Sequence, residues 1–161
     1  MNKNLIGDRG ESIFNTRITE HEMFNVYFLS AKAPIVDFLI EIADEATPFQ
    51  CLVQVKSTSQ GYLKCNGKLR AKVPVDKMQK LINRPLPTYV AGVDVKNEKV
   101  YICPAFNDAN AYTSSMPITH ILDKQNTVAT QQTLDMLKQD IIEYWNNANM
   151  NLYKTSFRSR L

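Results

Sequence analysis

The chain has 161 residues, 44% of them hydrophobic, and a formal net charge of +3. That is enough apolar material for one domain with a real core, while the charge excess is too small to mark a nucleic-acid binder by itself. No apolar run is long enough to cross a membrane and no signal peptide opens the chain, so a soluble, cytoplasmic protein is expected.

The first predicted element is a helix from Gly7 to about Glu20. Gly7, Glu11, Phe14 and Ile18 recur at i, i+4, i+7 and i+11, which puts them on one side. Glu11 therefore lies in the apolar stripe, where a carboxylate is costly unless paired, hydrated or metal-bound. Gly7 and Gly10 would let another backbone approach closely.

Two strands follow, Ile35–Ile42 and Phe49–Lys56. Side chains alternate along a strand, so Val36, Phe38, Ile40 and Ile42 share one face, and Asp37 and Glu41 the other. In the second strand Phe49, Cys51, Val53 and Val55 form the apolar side, opposite Gln54 and Lys56. The segment from Ala43 to Pro48 reads as a tight connection, and folding about it sets Asp37 across from Gln54. An acid, an amide oxygen and an ammonium then converge.

A carboxylate beside a carbonyl-type oxygen suits a hard cation, Mg2+ or Mn2+, and a nearby lysine can hold or activate a water. Those are the parts that phosphodiester hydrolysis needs. The plainer alternative is a solvated polar face without chemistry. Glu41 reads as a strand-end glutamate.

Beyond Lys56 the chain becomes basic. Lys64, Lys68, Arg70, Lys72, Lys77, Lys80 and Arg84 face one acid, Asp76. Asn66-Gly67 predicts a hairpin turn between short strands at Tyr62–Lys64 and Lys68–Val73, with Lys68, Arg70 and Lys72 on one face. Such side chains either contact phosphates or guard an edge strand. Ser57, Thr58 and Ser59 are either phosphate donors or an ordinary polar loop, and Tyr62 either a base-stacking ring or an edge tyrosine.

The remainder reads as scaffold. A short helix spans Val75–Asn83, and strands at Thr88–Val95 and Lys99–Cys103 form a second hairpin. The stretch from Phe106 to Thr130 is polar and irregular, with only short regular pieces. Thr130 is placed to cap a helix from Gln131 to about Asn147, with Leu134, Leu137, Ile141 and Trp145 on one face and Trp145 as an anchor against the sheet. The basic, aromatic tail after Met150 is either disordered or a cover for a groove, nucleic acid or a second subunit. Cys51 and Cys103 lie in apolar strand patterns and read as buried reduced thiols; with Cys65 they lack metal-ligand spacing. His21 and His120 are isolated, so zinc chemistry lacks ligands, and neither a Gly-x-Ser-x-Gly elbow nor a phosphate loop is present.

Gly10-Glu11 in a first helix, Asp37 in a strand after Pro34, and Gln54-Val55-Lys56 in the next strand resemble the PD-(D/E)XK nuclease superfamily. More narrowly, the pattern is similar to a bacterial family of uncharacterised domains with a Gly-Glu helix, an Asp strand and a Gln-x-Lys-Ser strand. The resemblance covers about Gly7 to Cys103. It implies that Asp37 is the main metal ligand, that Gln54 stands where most relatives have an acid, that Lys56 is the catalytic lysine, and that Glu11 completes the shell, with the Val55 carbonyl as a further ligand. Two positions depart from the pattern: Pro34 is not next to Asp37, and Gln54 removes one negative charge.

The expectation is therefore a single α/β domain over residues 1–161, with a restriction-endonuclease-like core at about 5–104. In it, a mixed central sheet is flanked by an N-terminal, a crossover and a C-terminal helix. The expected function is Mg2+- or Mn2+-dependent cleavage of nucleic acid, DNA first, in defence, restriction or repair, with Glu11, Asp37, Gln54, Val55 and Lys56 at the centre. Ser57, Lys64, Lys68, Arg70 and Lys72 would contact the nucleic acid. The competing expectation is a catalytically inactive module of the same fold that binds nucleic acid or a protein partner. A homodimer, or a partner from a defence or mobile-element system, is left open.

Overall fold

The computed structural model describes residues 3–29, 35–44, 46, 48–105, 120–122 and 127–148. In chain order they form α1 (Lys3–Thr19), β1 (Phe24–Phe28), β2 (Phe38–Ile42), β3 (Gln50–Thr58), α2 (Val75–Ile82), β4 (Thr88–Asp94), β5 (Lys99–Pro104), β6 (His120–Leu122) and α3 (Thr127–Ala148). Among the described residues, six strands make one sheet whose spatial order follows the chain. β3 and β4 run parallel, and every other neighbouring pair is antiparallel. A parallel pair needs a crossover, and the segment carrying α2 supplies it. The architecture is thus α/β with a mixed sheet, as expected.

Alternation along the central strands divides the apolar residues between two cores. Cys51, Val53 and Val55 of β3 join Ala91 and Val93 of β4, and against them pack Phe14 and Ile18 of α1 and Leu134, Leu137 and Ile141 of α3. Leu52 and Val90 belong to the other core, with Met78 and Leu81 of α2 and with Leu69, Ala71 and Val73 of the preceding loop. Both long helices therefore share one face of the sheet. Trp145 fixes α3 against it, stacking on Phe49 with ring centroids 6.0 Å apart and donating from Nε1 to the Gln50 carbonyl at 2.8 Å. Cys51 and Cys103 are buried free thiols, as read from their patterns, and Cys65 is exposed.

Several elements differ from expectation. β1 is an additional strand: Phe24-Asn25-Val26-Tyr27-Phe28 pairs with β2 from Phe24↔Ile42 to Phe28↔Phe38. β2 starts at Phe38 rather than Ile35, because Ile35 has a φ of 81° and turns the chain, and Val36 is buried in the second core instead of sharing the Phe38 face. The strands expected around Asn66-Gly67 shrink to one bridge, Tyr62↔Leu69, with Gly67 at φ 67°. β6 is one of the short regular pieces allowed for the irregular stretch, but α3 begins at Thr127, so Thr130 sits inside the helix rather than capping it. Pro34 and the tail after Met150 lie outside the described residues. Among the described residues, no helix is long and apolar enough to cross a membrane.

Candidate active site

The short β2 positions Asp37. It lies one residue before the strand and still follows the β2–β3 register: Phe38 pairs with Val53, and the Asp37 N–H donates to the Val53 carbonyl at 3.0 Å. Gln54 therefore comes opposite Asp37, as the folded hairpin predicted. The Val55 N–H donates to Asp37 Oδ2 at 2.6 Å, and Gln54 Nε2 donates to the same oxygen. Gln54 Nε2 also donates to the Val55 carbonyl at 3.2 Å. One carboxylate, one amide and one main-chain carbonyl are thus tied together in a few bonds.

The first turns of α1 close this corner. Gly10 is buried against β3: a Cβ there would lie 1.7 Å from Ser57 Oγ and 2.6 Å from Ser57 Cβ, so only glycine permits this approach. Gly7 has no such neighbour and instead lines the site. The tight Gly10–Ser57 packing sets Glu11 beside the ends of β2 and β3. Glu11, Asp37, Gln54, Val55 and Lys56 all line one open hollow of about 800 Å³, together with Ser57, Arg70 and Lys72.

The electrostatics of the hollow are those of half-buried, mutually sensed charges. Burial holds the Asp37 carboxyl above its ordinary value, and the Val55 N–H bond, the Lys56 ammonium, the Gln54 bond and the Lys77 charge oppose the shift. Burial also raises Glu11, helped by the negative charges of Asp37 and Asp8 and opposed by Lys56. Lys56 is pushed below the usual lysine range by burial and by Lys77, against the pull of Asp37 and Glu11. Charged groups held partly out of water in a concave site are a recurring mark of function.

The donor set fits a hard cation. Asp37 and Glu11 offer carboxylate oxygens, Val55 a carbonyl, and Gln54 an amide oxygen once its side chain turns end for end, because the amide now presents its nitrogen to Asp37 and Val55. Among the described residues, no three His, Cys, Asp or Glu side chains cluster as a metal site. The set proposed from the sequence contains only two residues of those types.

The basic residues separate. Ser57, Arg70 and Lys72 reach the wall of the hollow, whereas Lys64 and Lys68 do not line it; Lys64 is exposed on the turn. Glu41 is also elsewhere, accepting a 2.8 Å bond from Gln50 Nε2 across β2 and β3. His21 is half-buried, and among the described residues its Nε2 has no hydrogen-bond partner. Lys77 of α2, whose charge acts on both Asp37 and Lys56, is the member that sequence reasoning did not single out. The only signal for it was its place in the basic run. Comparison of the chain with protein-family models, with curated proteins and with solved structures finds no match.

Proposed function

We propose that this chain is a divalent-metal-dependent nuclease of the PD-(D/E)XK type, hydrolysing phosphodiester bonds in nucleic acid, with DNA the first substrate to test. What carries the reading is the shared hollow: Glu11, Asp37, Gln54, Val55 and the half-buried Lys56 line it together with Arg70 and Lys72. The α/β arrangement with a mixed sheet is compatible with a restriction-endonuclease-like core.

In this mechanism Asp37, Glu11, Gln54 and Val55 would hold the ion, which would supply Lewis-acid chemistry at the phosphoryl oxygen and at a bound water. Lys56 orients the attacking water and offsets the charge that develops on the phosphorane-like oxygens. Its lowered proton affinity leaves it more readily deprotonated than an exposed lysine, which suits proton transfer from water. Arg70 and Lys72, which line the same hollow, would contact the flanking backbone of a substrate.

A fluorescently labelled DNA tests this directly. The probe is cut in Mg2+ or Mn2+ and stays intact in EDTA, and Lys56→Ala slows cutting about 100-fold or more, the loss usual for a group acting on developing charge. Cutting that persists in EDTA, or at full rate in the folded Lys56→Ala protein, contradicts the reading. One observation favours the alternative of an inactive binding module: the amide nitrogen of Gln54, at the position where the resemblance implies an acid, faces Asp37. Such a module leaves the probe intact in Mg2+.

A further inference from the structure

We propose that Arg70 is a phosphate-gripping side chain, pre-set by the Tyr62 main-chain carbonyl to hold a nucleic-acid backbone beside the Asp37–Lys56 corner; this rests on the nuclease reading above and names how its substrate is held. Leu69, Ala71 and Val73 are buried in the second core. In an extended run, that burial sends Arg70 and Lys72 to the opposite side, where both line the hollow.

The main chain beneath Arg70 is fixed. Its N–H donates to the Gly61 carbonyl at 2.9 Å, Leu63 N–H donates to Lys68 at 2.8 Å, and Tyr62 bridges Leu69. Tyr62 is anchored in turn by a 2.6 Å bond between its hydroxyl and that of Tyr101. The side chain is aimed as well, because Arg70 Nε donates to the Tyr62 carbonyl at 3.1 Å.

A guanidinium is planar, so tying Nε to a carbonyl sets the plane of the whole group and leaves the terminal nitrogens to make two parallel bonds to a phosphate. Among the described residues, Arg9 is paired with Glu98 and Arg17 with Glu20, whereas Arg70 is held by a neutral acceptor that leaves its charge uncompensated. Lysine at the same place would keep the charge and lose the fork.

Binding in EDTA separates this from catalysis. Fluorescence anisotropy of labelled single-stranded and duplex oligonucleotides, from 50 to 200 mM salt, is compared for wild type, Arg70→Ala, Arg70→Lys and, as a lysine exposed away from the hollow, Lys96→Ala. Far-UV circular dichroism checks that each variant is folded. Arg70→Ala is expected to weaken binding about tenfold, the size of a lost charge-assisted bond. It also makes the log–log salt slope shallower by about 0.7 on a single strand or about 0.9 on a duplex. Arg70→Lys weakens binding while keeping the slope, and Lys96→Ala stays close to wild type. The probe that shows the larger Arg70 effect identifies the strand form that is gripped. Arg70→Lys binding as tightly as wild type, or Arg70→Ala matching Lys96→Ala, overturns the inference and leaves the nuclease reading to its cleavage assay. A wild-type protein that binds neither probe overturns it outright.

Discussion

Asp37 carries two burdens that pull in opposite directions. Its Oδ2 accepts from the Val55 N–H and the Gln54 amide, yet burial still raises its pKa, as it does that of Glu11. Between 3.8, the ordinary aspartate value, and the raised value, the folded chain binds more protons than the unfolded chain, so stability falls as pH rises through that interval. The ionised carboxylate is therefore a net cost to the fold at neutral pH. Asp37→Asn is expected to raise the melting temperature at neutral pH, with the advantage vanishing below pH 3.8, measured by thermal denaturation across pH. An unchanged or lower melting temperature at neutral pH would show that its hydrogen bonds outweigh its burial. Lys56 has the complementary sign: its depressed pKa means that stability rises with pH between that value and 10.5. Much of this was legible in the sequence, because hairpin symmetry alone set Asp37 against Gln54 and helical spacing placed Glu11 in the apolar stripe. The direction in which the Gln54 amide points was not, since a half turn exchanges its oxygen and nitrogen without altering any pattern. Lys77 was obscured by equally basic neighbours.

At the scale of elements, the site depends on how closely α1 approaches β3. Gly10 permits the approach, and a methyl group at that position would overlap Ser57 Oγ and crowd Ser57 Cβ. Rotating the hydroxyl relieves only the first contact. Gly10→Ala should therefore lower stability by about 1–3 kcal/mol, the usual cost of overpacking. Chemical denaturation measures it, and adding Ser57→Gly should recover most of the loss. If the double variant is no more stable than Gly10→Ala, the close approach does not set the helix position. The Gly-Glu pair showed this element in advance because glycine and carboxylate each need a reason to sit in a packed face. β1 stayed hidden, being a five-residue strand with aromatic side chains on both faces: Phe24 is buried while Tyr27 and Phe28 are exposed. The hairpin around Asn66-Gly67 was legible as a turn, with Leu63 and Lys68 bonded across it, but its arms pair only at Tyr62 and Leu69. Their apolar residues are committed to the second core instead.

Over the whole molecule, the candidate site collects parts that the chain keeps far apart: Glu11 from α1, Asp37 from the edge of β2, Gln54 and Lys56 from β3, and Arg70 from the loop before α2. Two cores on opposite faces of one sheet hold these elements, and the division between them follows strand alternation, which β3 displays in its sequence and β4, buried along its whole length, does not. What alternation could not reveal is where a strand starts. β2 begins only at Phe38 because Ile35 turns the chain and Val36 packs on the far side, leaving Asp37 to line the hollow rather than a solvated face. Under the proposed function, these separated oxygens act together on one divalent cation. Titration of the purified chain with Mn2+, followed by electron paramagnetic resonance, measures that most directly. One specifically bound ion per chain is expected, lost in Asp37→Ala and retained in Lys56→Ala. Mn2+ binding of equal strength in the wild-type and Asp37→Ala proteins would contradict the account.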